Sequence, residues 1–396
     1  MNNISPFQDF VYDARKRVLL VRFGGLGDCL ILTAIAKILH ERGNIVDVAV
    51  GTPTGDIEDL FSGLDFINSV KKINFLRGIL TIKDENEHNI PIDIVKQDYD
   101  EVFDLKYSIE GNTPHRGNKG WRDSINSNFA NWVDLSLAWC KIDPSTILSE
   151  NKRPIINTTG DNYVKYHQWI SENIPLDGRL IGIQLKASSL IRTWYRATEL
   201  PQMIHEKYPN DIVAMFTGDK WILLSKYGKT DLAIPEDFNP ITFSTVLISI
   251  MGCFISADSG MSHVAEAVET PTIGIYTTVP AWTRIKHYNF AHPIEADVEC
   301  HPCFYLDGVC PIEAENARAS LSDREKEIVQ MFEANTPVQE IAKKFEMIPG
   351  ALFAEAEAIQ KKIQTRATKM PACVASISPD MIIQRLEEVL PETKQW

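Results

Sequence analysis

The sequence predicts an α/β protein made of two doubly wound domains, each built on a mainly parallel sheet. Short apolar runs rich in Val, Leu and Ile alternate with segments whose apolar residues recur at helical spacing, first in residues 17–105 and again in residues 163–268. A stretch rich in Pro, Asn, Ser and Thr, residues 143–161, separates the two series. We therefore expect one domain over residues 1–155 and a second over residues 156–311.

Composition limits the class of protein. With 396 residues and 44% hydrophobic content, the chain can bury cores for two domains. The formal net charge of −13 argues against a globally basic nucleic-acid binder but leaves room for a local basic patch. No apolar run approaches a membrane span and residues 1–15 lack an apolar signal core, so we expect a cytoplasmic protein. Seven cysteines fit reduced thiols or a metal site better than a disulfide framework.

The individual elements follow from the same periodicities. In the first domain we predict strands at 17–23, 45–50, 67–73 and 101–105, helices at 29–39, 55–64 and 129–140, and an insertion or edge hairpin over 76–98. In the second we predict strands at 180–185, 212–216 and 253–256 and helices at 163–172, 197–206, 243–251 and 264–268.

A glycine loop joins the first strand to the first helix. Gly24, Gly25 and Gly27 let the backbone approach a ligand, and free N–H groups at the helix start attract negative charge. The loop has neither the complete Gly-x-Gly-x-x-Gly of a dinucleotide fold nor the Lys-Ser/Thr of a phosphate loop, so dehydrogenases and kinases are disfavoured. Asp28 follows at the carboxyl end of the strand, where open α/β sheets bind ligands; a simple turn with a helix-capping acid is the alternative reading.

A glycine-rich segment over residues 111–122 carries cations and aromatic rings. Such side chains grip a phosphate or a stacked ring, although a solvated loop has the same composition. The candidate acceptor-binding residues there are His115, Arg116, Lys119, Trp121 and Arg122.

Two segments of the second domain, each following a strand, suit a phosphate. The first offers Lys186, Ser188 and Arg192. The second opens a helix, whose N–H groups attract anions, and comprises Asp258, Ser259, Gly260, Met261, Ser262 and His263. Taken alone, His263 also fits a packed or capping residue.

In their order and spacing, Gly27-Asp28, Arg192-Thr193-Trp194 after Lys186, and Asp258 to His263 resemble the family 9 glycosyltransferases, the bacterial heptosyltransferases of lipopolysaccharide core assembly. The resemblance covers residues 17–310 and resumes near 373–390. It implies the glycosyltransferase B fold, two Rossmann-like domains facing across a cleft, with the acceptor on the first, the nucleotide sugar on the second, and inversion at the sugar. The chain departs from the family at Arg192, where Lys is common, and at Thr33 and Ala34, where Pro is frequent; the second change bears on the acceptor side.

The predicted reaction is metal-independent transfer of a hexosyl, pentosyl or heptosyl group from a nucleotide-diphosphate sugar to a hydroxyl. Asp28 would be the general base, and Lys186, Ser188, Arg192 and the helix start at 260–263 would hold the diphosphate, as a metal does in other transferases. The nucleotide sugar is a co-substrate and no cofactor is required. A non-catalytic binding protein on the same fold is the least favoured reading.

The C-terminal part departs from the family. Cys300, Cys303, Cys310 and Cys373 resemble a cysteine-bearing end found in many members, and they predict either a structural zinc site or a set of buried free thiols. About sixty residues separate the last two, so we expect an insertion over 312–372 and a closing helix within 373–396.

Within the insertion, residues 321–332 and 337–347 resemble the helix-turn-helix of response regulators and sigma factors, with a capping box at Ser322 and Glu325. The candidate DNA contacts are Lys361, Lys362, Arg366 and Lys369. Two acceptors follow: a cell-envelope glycan such as lipopolysaccharide core, which is preferred and would place the enzyme at the inner membrane surface, or hydroxymethylated bases in duplex DNA, as for phage enzymes acting in the host cytoplasm. The helix that would enter the groove begins with Ala, Leu, Phe and glutamates, so a packing or dimerisation element is the further alternative.

Overall fold

The computed structural model describes most of the chain. The described residues are 16–53, 55–76, 79–83, 88–106, 131–174, 177–184, 186–187, 189–218, 220–226, 228–303, 310–367 and 371–390. Within them, two mainly parallel sheets with packed helices confirm the predicted α/β class. None of the helices in these ranges is long and apolar enough to cross a membrane.

The first sheet has the strand order β5-β4-β3-β2-β1-β6. Its strands are Arg17–Phe23 (β1), Ile45–Gly51 (β2), Ser69–Leu76 (β3), Ile79–Lys83 (β4), Asn89–Pro91 (β5) and Glu101–Asp104 (β6). The central strands β1, β2, β3 and β6 pair in parallel, whereas β4 and β5 form an antiparallel edge, which confirms the hairpin expected over 76–98. The apolar run of β1 is buried because neighbouring strands flank it and side chains pack on both faces.

Among the described residues, three helices accompany this sheet: Leu26–Glu41 (α1), Ile92–Val95 (α2) and Trp132–Trp139 (α3). The helix expected over 55–64 is wrong, because only the 3-10 turn Glu58–Leu60 forms there. Gly55 and Gly63 flank that turn with φ of +149° and +82°, values that an α-helix does not accommodate. Here the glycines outweigh the apolar spacing.

The second sheet has the strand order β10-β9-β8-β7-β11-β12-β13. Its strands are Leu180–Gln184 (β7), Ile212–Phe216 (β8), Trp221–Ser225 (β9), Gly228–Leu232 (β10), Cys253–Ala257 (β11), Thr272–Tyr276 (β12) and Ala291–Glu295 (β13). Sequence analysis missed β9, β10, β12 and β13. The first two form an antiparallel extension of β8, and the last two continue the parallel sheet beyond β11.

The helices of the second half are Asp161–Asn173 (α4), Leu200–Lys207 (α5), Pro240–Ser249 (α6), Gly260–Ala267 (α7) and Trp282–Ile285 (α8). Helix α7 packs against α1 of the first domain, and one hydrophobic cluster runs without interruption from Val18 and Leu30 to Phe243 and Val264. The carboxyl ends of β1 and β11, and the helix starts that follow them, therefore face each other.

Four helices form the C-terminal bundle: Pro311–Ala319 (α9), Asp323–Glu333 (α10), Val338–Lys344 (α11) and Pro349–Ala367 (α12). They enclose a separate apolar core around Ile328, Ile341 and Leu352. Helices Ala372–Ala375 (α13) and Pro379–Val389 (α14) then return to the second sheet, where Leu386 joins its outer core.

Candidate functional site

The glycine loop forms the start of helix α1. Gly25 is the residue before the helix, and its N–H donates to Oδ2 of Asp28 at 3.0 Å, so Asp28 closes a capping interaction with the backbone. Gly24 N–H donates to the carbonyl of Gly51 at the end of β2. The loop is thus tied to two neighbouring strands at the carboxyl edge of the first sheet.

Asp28 is also held by a buried cation. Arg22 comes from β1, and its side chain is 1% exposed. Its Nη1 donates to the carbonyls of Leu105 and Lys106, while its Nη2 lies 3.4 Å from Oδ2 of Asp28. The Asp28 side chain is 17% exposed, so the carboxylate is oriented by the protein and still reachable from outside. Sequence analysis missed Arg22, although a cation within an apolar strand is a visible signal.

Asp258, directly after β11, organises two arginines. Its Oδ2 lies 3.4 Å from Nη1 of Arg192, its carbonyl accepts from the same nitrogen at 3.1 Å, and its Oδ1 lies 3.2 Å from Nε of Arg284. Burial alone would raise the pKa of Asp258, but the charges of Arg284 and Arg192 outweigh it and lower the pKa. Asp258 therefore positions cations, whereas the sequence placed it among the diphosphate-binding groups.

Five other residues predicted to bind the donor differ in their burial and in whether the structure describes them. Ser259 donates to Oε1 of Gln184 at 2.6 Å, and Met261 and Ser262 are buried in the first turns of α7. Lys186 lies exposed after β7. Ser188 falls outside the described residues.

His263 is buried, with its Nδ1 2.5 Å from the hydroxyl of Tyr288. Burial is the main reason that the pKa of its imidazolium falls to about 4, despite the opposing charge of Asp258. The ring is accordingly neutral near pH 7 and can offer one hydrogen bond. Tyr288 was missed in the sequence, where nothing marks it as a partner of His263.

The glycine loop touches the second domain at His263. A β-carbon built on Gly27 would lie 2.4 Å from Cδ2 and 2.8 Å from Nε2 of His263, and one on Gly260 would lie 2.8 Å from the β-carbon of Leu26. The starts of α1 and α7 therefore meet, each with its positive end at the junction. Together with Arg192 and Arg284, this arrangement suits an anion such as a diphosphate.

A second group of charges joins the domains beside the linker, residues 143–161. Asp134 of α3 is buried and lies 2.8 Å from Nζ of Lys152, 3.1 Å from Nζ of Lys286 and 3.0 Å from Nε2 of His287. Burial would raise the pKa of Asp134, but the hydrogen bonds from His287 and Lys152 overcome it and lower the pKa to about 2. This group holds the first domain, the linker and the second domain together.

Of the four tail cysteines, Cys373 is buried, whereas Cys300, Cys303 and Cys310 are half-buried. Burial, and then the charges of Cys303, Cys310 and Cys300, raise the pKa of Cys373 to about 12. Among the described residues, no group of three or more histidine, cysteine or acidic side chains has an arrangement that would hold a metal ion.

Several other predicted residues lie where the structure says little. The five acceptor candidates, His115, Arg116, Lys119, Trp121 and Arg122, fall within residues 107–130, outside the described ranges, as does Lys369. Arg366 lies in α12, but its side chain is not described. Of the proposed DNA contacts, Lys361 is exposed, whereas Nζ of Lys362 lies 2.8 Å from Oε1 of Glu325 within the bundle.

Part of the chain is similar in sequence to a known family. The family model described as glycosyltransferase family 9 (heptosyltransferase) matches residues 241–305, a stretch that contains Asp258, His263 and Arg284. No curated protein matches the chain.

Solved structures are similar in fold at low sequence identity. A family 9 glycosyl transferase from Veillonella parvula is 11% identical, with 96% of this chain and 98% of that chain covered and a TM-score of 0.54. ADP-heptose lps heptosyltransferase II of E. coli is 14% identical (71% and 91% covered, TM-score 0.45). E. coli heptosyltransferase WaaC with ADP is 15% identical (71% and 93% covered, TM-score 0.41). The first of these shows the fold; the other two TM-scores are too low to support an argument.

Proposed function

We propose that this chain, whose residues 241–305 match the glycosyltransferase family 9 model, transfers a sugar from a nucleotide-diphosphate sugar to an acceptor hydroxyl with inversion, using Asp28 as the general base. One observation carries the proposal. The loop that holds Asp28 lies directly against the donor-side motif, because Gly27 is in contact with His263. A base on one domain and an anion-binding edge on the other are thus brought to a single point.

The way in which Asp28 is held supports its role as the base that takes the proton of the acceptor hydroxyl. Transfer forms a bond from the acceptor oxygen to the anomeric carbon and breaks the bond from that carbon to the diphosphate, while the acceptor proton passes to a base. The Asp28 carboxylate is fixed by Arg22 and the Gly25 N–H, yet 17% of its side chain is exposed, so it can take that proton. Attack from the side opposite the leaving group inverts the sugar centre.

The leaving group needs positive charge. Arg192 is held by Asp258, and the start of α7 adds backbone dipoles beside it. Neutral His263 offers a hydrogen bond without the cost of burying a second charge. These groups can neutralise the charge that grows on the diphosphate without a divalent metal.

The proposal is tested by donor binding and turnover of the full-length protein. Nucleotide sugars that stay bound during purification are identified by mass spectrometry, and a panel of ADP, GDP, UDP and dTDP sugars, including ADP-heptose, is titrated by calorimetry. We expect one nucleotide class to bind and its diphosphate to be released slowly in water. If no member of the panel binds, the proposed function is wrong.

For the acceptor we propose a cell-envelope glycan. The DNA alternative has one observation in its favour: helix α11, a turn with Glu346 at φ +55° and helix α12 follow each other as in a helix-turn-helix. The charges point the other way. Lys362 pairs with Glu325, Arg324 pairs with Glu355, and the exposed start of α12 presents Ala351 and Phe353 instead of polar side chains.

Duplex binding by the full-length protein separates the two acceptors. We expect negligible binding even at low salt. The informative variant replaces Lys361, Lys362, Arg366 and Lys369 by Ala, and its matched control replaces four exposed lysines elsewhere, Lys141, Lys165, Lys220 and Lys229. A submicromolar, salt-sensitive affinity that the first variant loses and the control keeps would put DNA first.

A structural zinc at Cys300, Cys303, Cys310 and Cys373 stays a prediction from the sequence. In its support, the charges of Cys303, Cys310 and Cys300 all act on Cys373. Metal analysis of the purified protein, before and after Cys303→Ser, tests it. A zinc content near one per chain that the substitution abolishes would support the zinc site, and a protein without zinc would favour free thiols.

A further inference from the structure

Arg284 is a buried cation at the edge of the proposed donor site. It lies in α8, beyond β12, and its side chain is 2% exposed. Its Nε lies 3.2 Å from Oδ1 of Asp258, and its Nη1 lies 3.5 Å from Oγ1 of Thr283. Its Nη2 is buried and has no hydrogen-bond partner among the described residues. A buried guanidinium nitrogen without an acceptor is costly, so this atom is placed to bind an acceptor that the described residues do not supply.

The first domain covers the same side chain. The Cζ of Arg284 lies 3.3 Å from the centroid of the Trp132 ring, which stands at the start of α3. Beside it, Nδ2 of Asn131 donates to the carbonyl of Trp282 at 3.0 Å, so the start of α3 is seated on α8. The Arg284 guanidinium is thus stacked by one domain and paired by the other, which holds its free edge in one orientation.

The charges around Arg284 favour the binding of an anion. The charges of Asp258 and Asp28 attract Arg284 and that of Arg192 repels it, while burial is the main cause of a lowered Arg284 pKa. Three arginines, Arg22, Arg192 and Arg284, stand here against two carboxylates, Asp28 and Asp258. A phosphate oxygen beside these arginines would add negative charge at a buried place.

We propose that Nη2 of Arg284 binds the diphosphate of the donor, and that Trp132 holds this arginine ready when the two domains are in contact. This inference rests on the proposed function and adds a donor-binding residue to it. Arg192 and Arg284 would then grip the leaving group from two sides of Asp258. The stacking by Trp132 would link binding of the donor to the position of the acceptor-side domain.

The test compares nucleoside diphosphates with monophosphates, because only the former place a second phosphate at this point. Calorimetry measures the ratio of ADP to AMP affinity, or the same ratio for whichever base the wild type prefers. In Arg284→Gln we expect this ratio to fall at least tenfold, in Arg284→Lys to fall less, and in Trp132→Leu to fall several-fold. Arg179→Gln is the matched control, since Arg179 also pairs with an acid, Asp211, and lies 5.0 Å from the Tyr208 ring, away from the junction.

The outcomes separate the two proposals. If wild type binds a nucleoside diphosphate and Arg284→Gln and Arg284→Lys both keep the wild-type ratio, the inference about Arg284 is wrong and the proposed function stands. If wild type binds no nucleoside diphosphate, the proposed function fails first. Arg284→Lys keeps a charge in place and supplies the answer should Arg284→Gln not fold.

Discussion

Gly27 and His263 are in contact across the boundary between the two domains, with no room for a methyl group between them. A β-carbon on Gly27 would lie 2.4 Å from Cδ2 of His263, and His263 is itself fixed by Tyr288 at 2.5 Å. Together with the approach of Gly260 to Leu26, this contact holds the loop that carries Asp28 close to the start of α7. Glycine is needed here because a side chain would not fit against His263. Its backbone conformation does not require glycine, since Gly27 lies in the first turn of an ordinary helix.

Gly27→Ala should therefore destabilise the protein and reduce turnover. Alanine favours helices over glycine by about 1 kcal/mol, but forcing a methyl against a buried ring costs typically about 1 to 3 kcal/mol. Chemical denaturation and steady-state kinetics measure the two effects. Gly350→Ala is the control, since Gly350 lies in the first turns of α12 and a β-carbon there meets nothing within 4 Å. Equal or greater stability of Gly27→Ala would contradict the contact.

Asp28→Asn should abolish transfer and leave donor binding nearly intact. The amide keeps the shape of the side chain and can still accept from Gly25 N–H, but it does not take a proton, and loss of a general base costs about 100- to 10,000-fold in rate. Turnover and calorimetric donor affinity are compared with those of Asp380→Asn, another acid in the first turn of a helix. A rate within a few-fold of wild type would reduce Asp28 to a helix cap.

Arg192→Ala and His263→Ala should weaken nucleotide-sugar binding, with the larger effect for Arg192. Charge-assisted bonds to a diphosphate are worth roughly 1.5 to 3 kcal/mol each, and a neutral imidazole contributes less. Arg192 is 13% exposed and held by Asp258, so its removal also leaves that carboxylate with Arg284 alone. Calorimetry with the preferred nucleotide sugar decides the matter. Unchanged affinity in both variants would move the donor site elsewhere.

Asp134→Asn should destabilise the protein and flatten the acid side of its stability profile. The pKa of Asp134 is lowered to about 2, below its value in the unfolded chain, so its contribution is complete above that unfolded value and disappears as pH falls from about 4 to 2. Leaving Lys152 buried without its acid typically costs about 3 to 5 kcal/mol.

Urea denaturation between pH 2 and 7 measures this effect, with Asp237→Asn as control because Asp237 pairs with Lys165 on the surface. We expect the control to stay close to wild type at every pH, because an exposed ion pair contributes little to the free energy of unfolding. If the free energy of unfolding of Asp134→Asn falls at low pH as steeply as that of wild type, these charges do not act as a link between the domains.

How much the sequence predicts depends on the range of the interactions. Residues 17–28 carry their own evidence: an apolar run, glycines and an acid in one short stretch, and the structure has a strand, a turn and a helix there. The same holds for β11 and the start of α7. Such local patterns arise because burial and backbone freedom act between neighbours in the chain.

Short or atypical elements were predicted less well. Strands β9 and β10 are half exposed, and Gly228–Leu232 has one buried position, so the alternation that marks a strand is weak there. Strands β12 and β13 follow residues 258–263 closely, and the sequence prediction did not include them, although Thr272–Tyr276 is buried throughout. β12 pairs with β11, and β13 pairs with β12, so their place depends on strands that lie elsewhere in the chain.

By itself, the sequence determined the two-sheet architecture, the place of Asp28 after the first strand and the place of residues 258–263 at the start of a helix. Only the tertiary structure decided which charges act together. Arg284 in α8 resembles any helical arginine until Asp258 and Trp132 are seen around it, and Asp134 resembles a surface acid until Lys152 and Lys286 close on it. The interaction between two charges contributes little free energy in water and much more when the charges are buried. Burial depends on which distant segments the fold brings together.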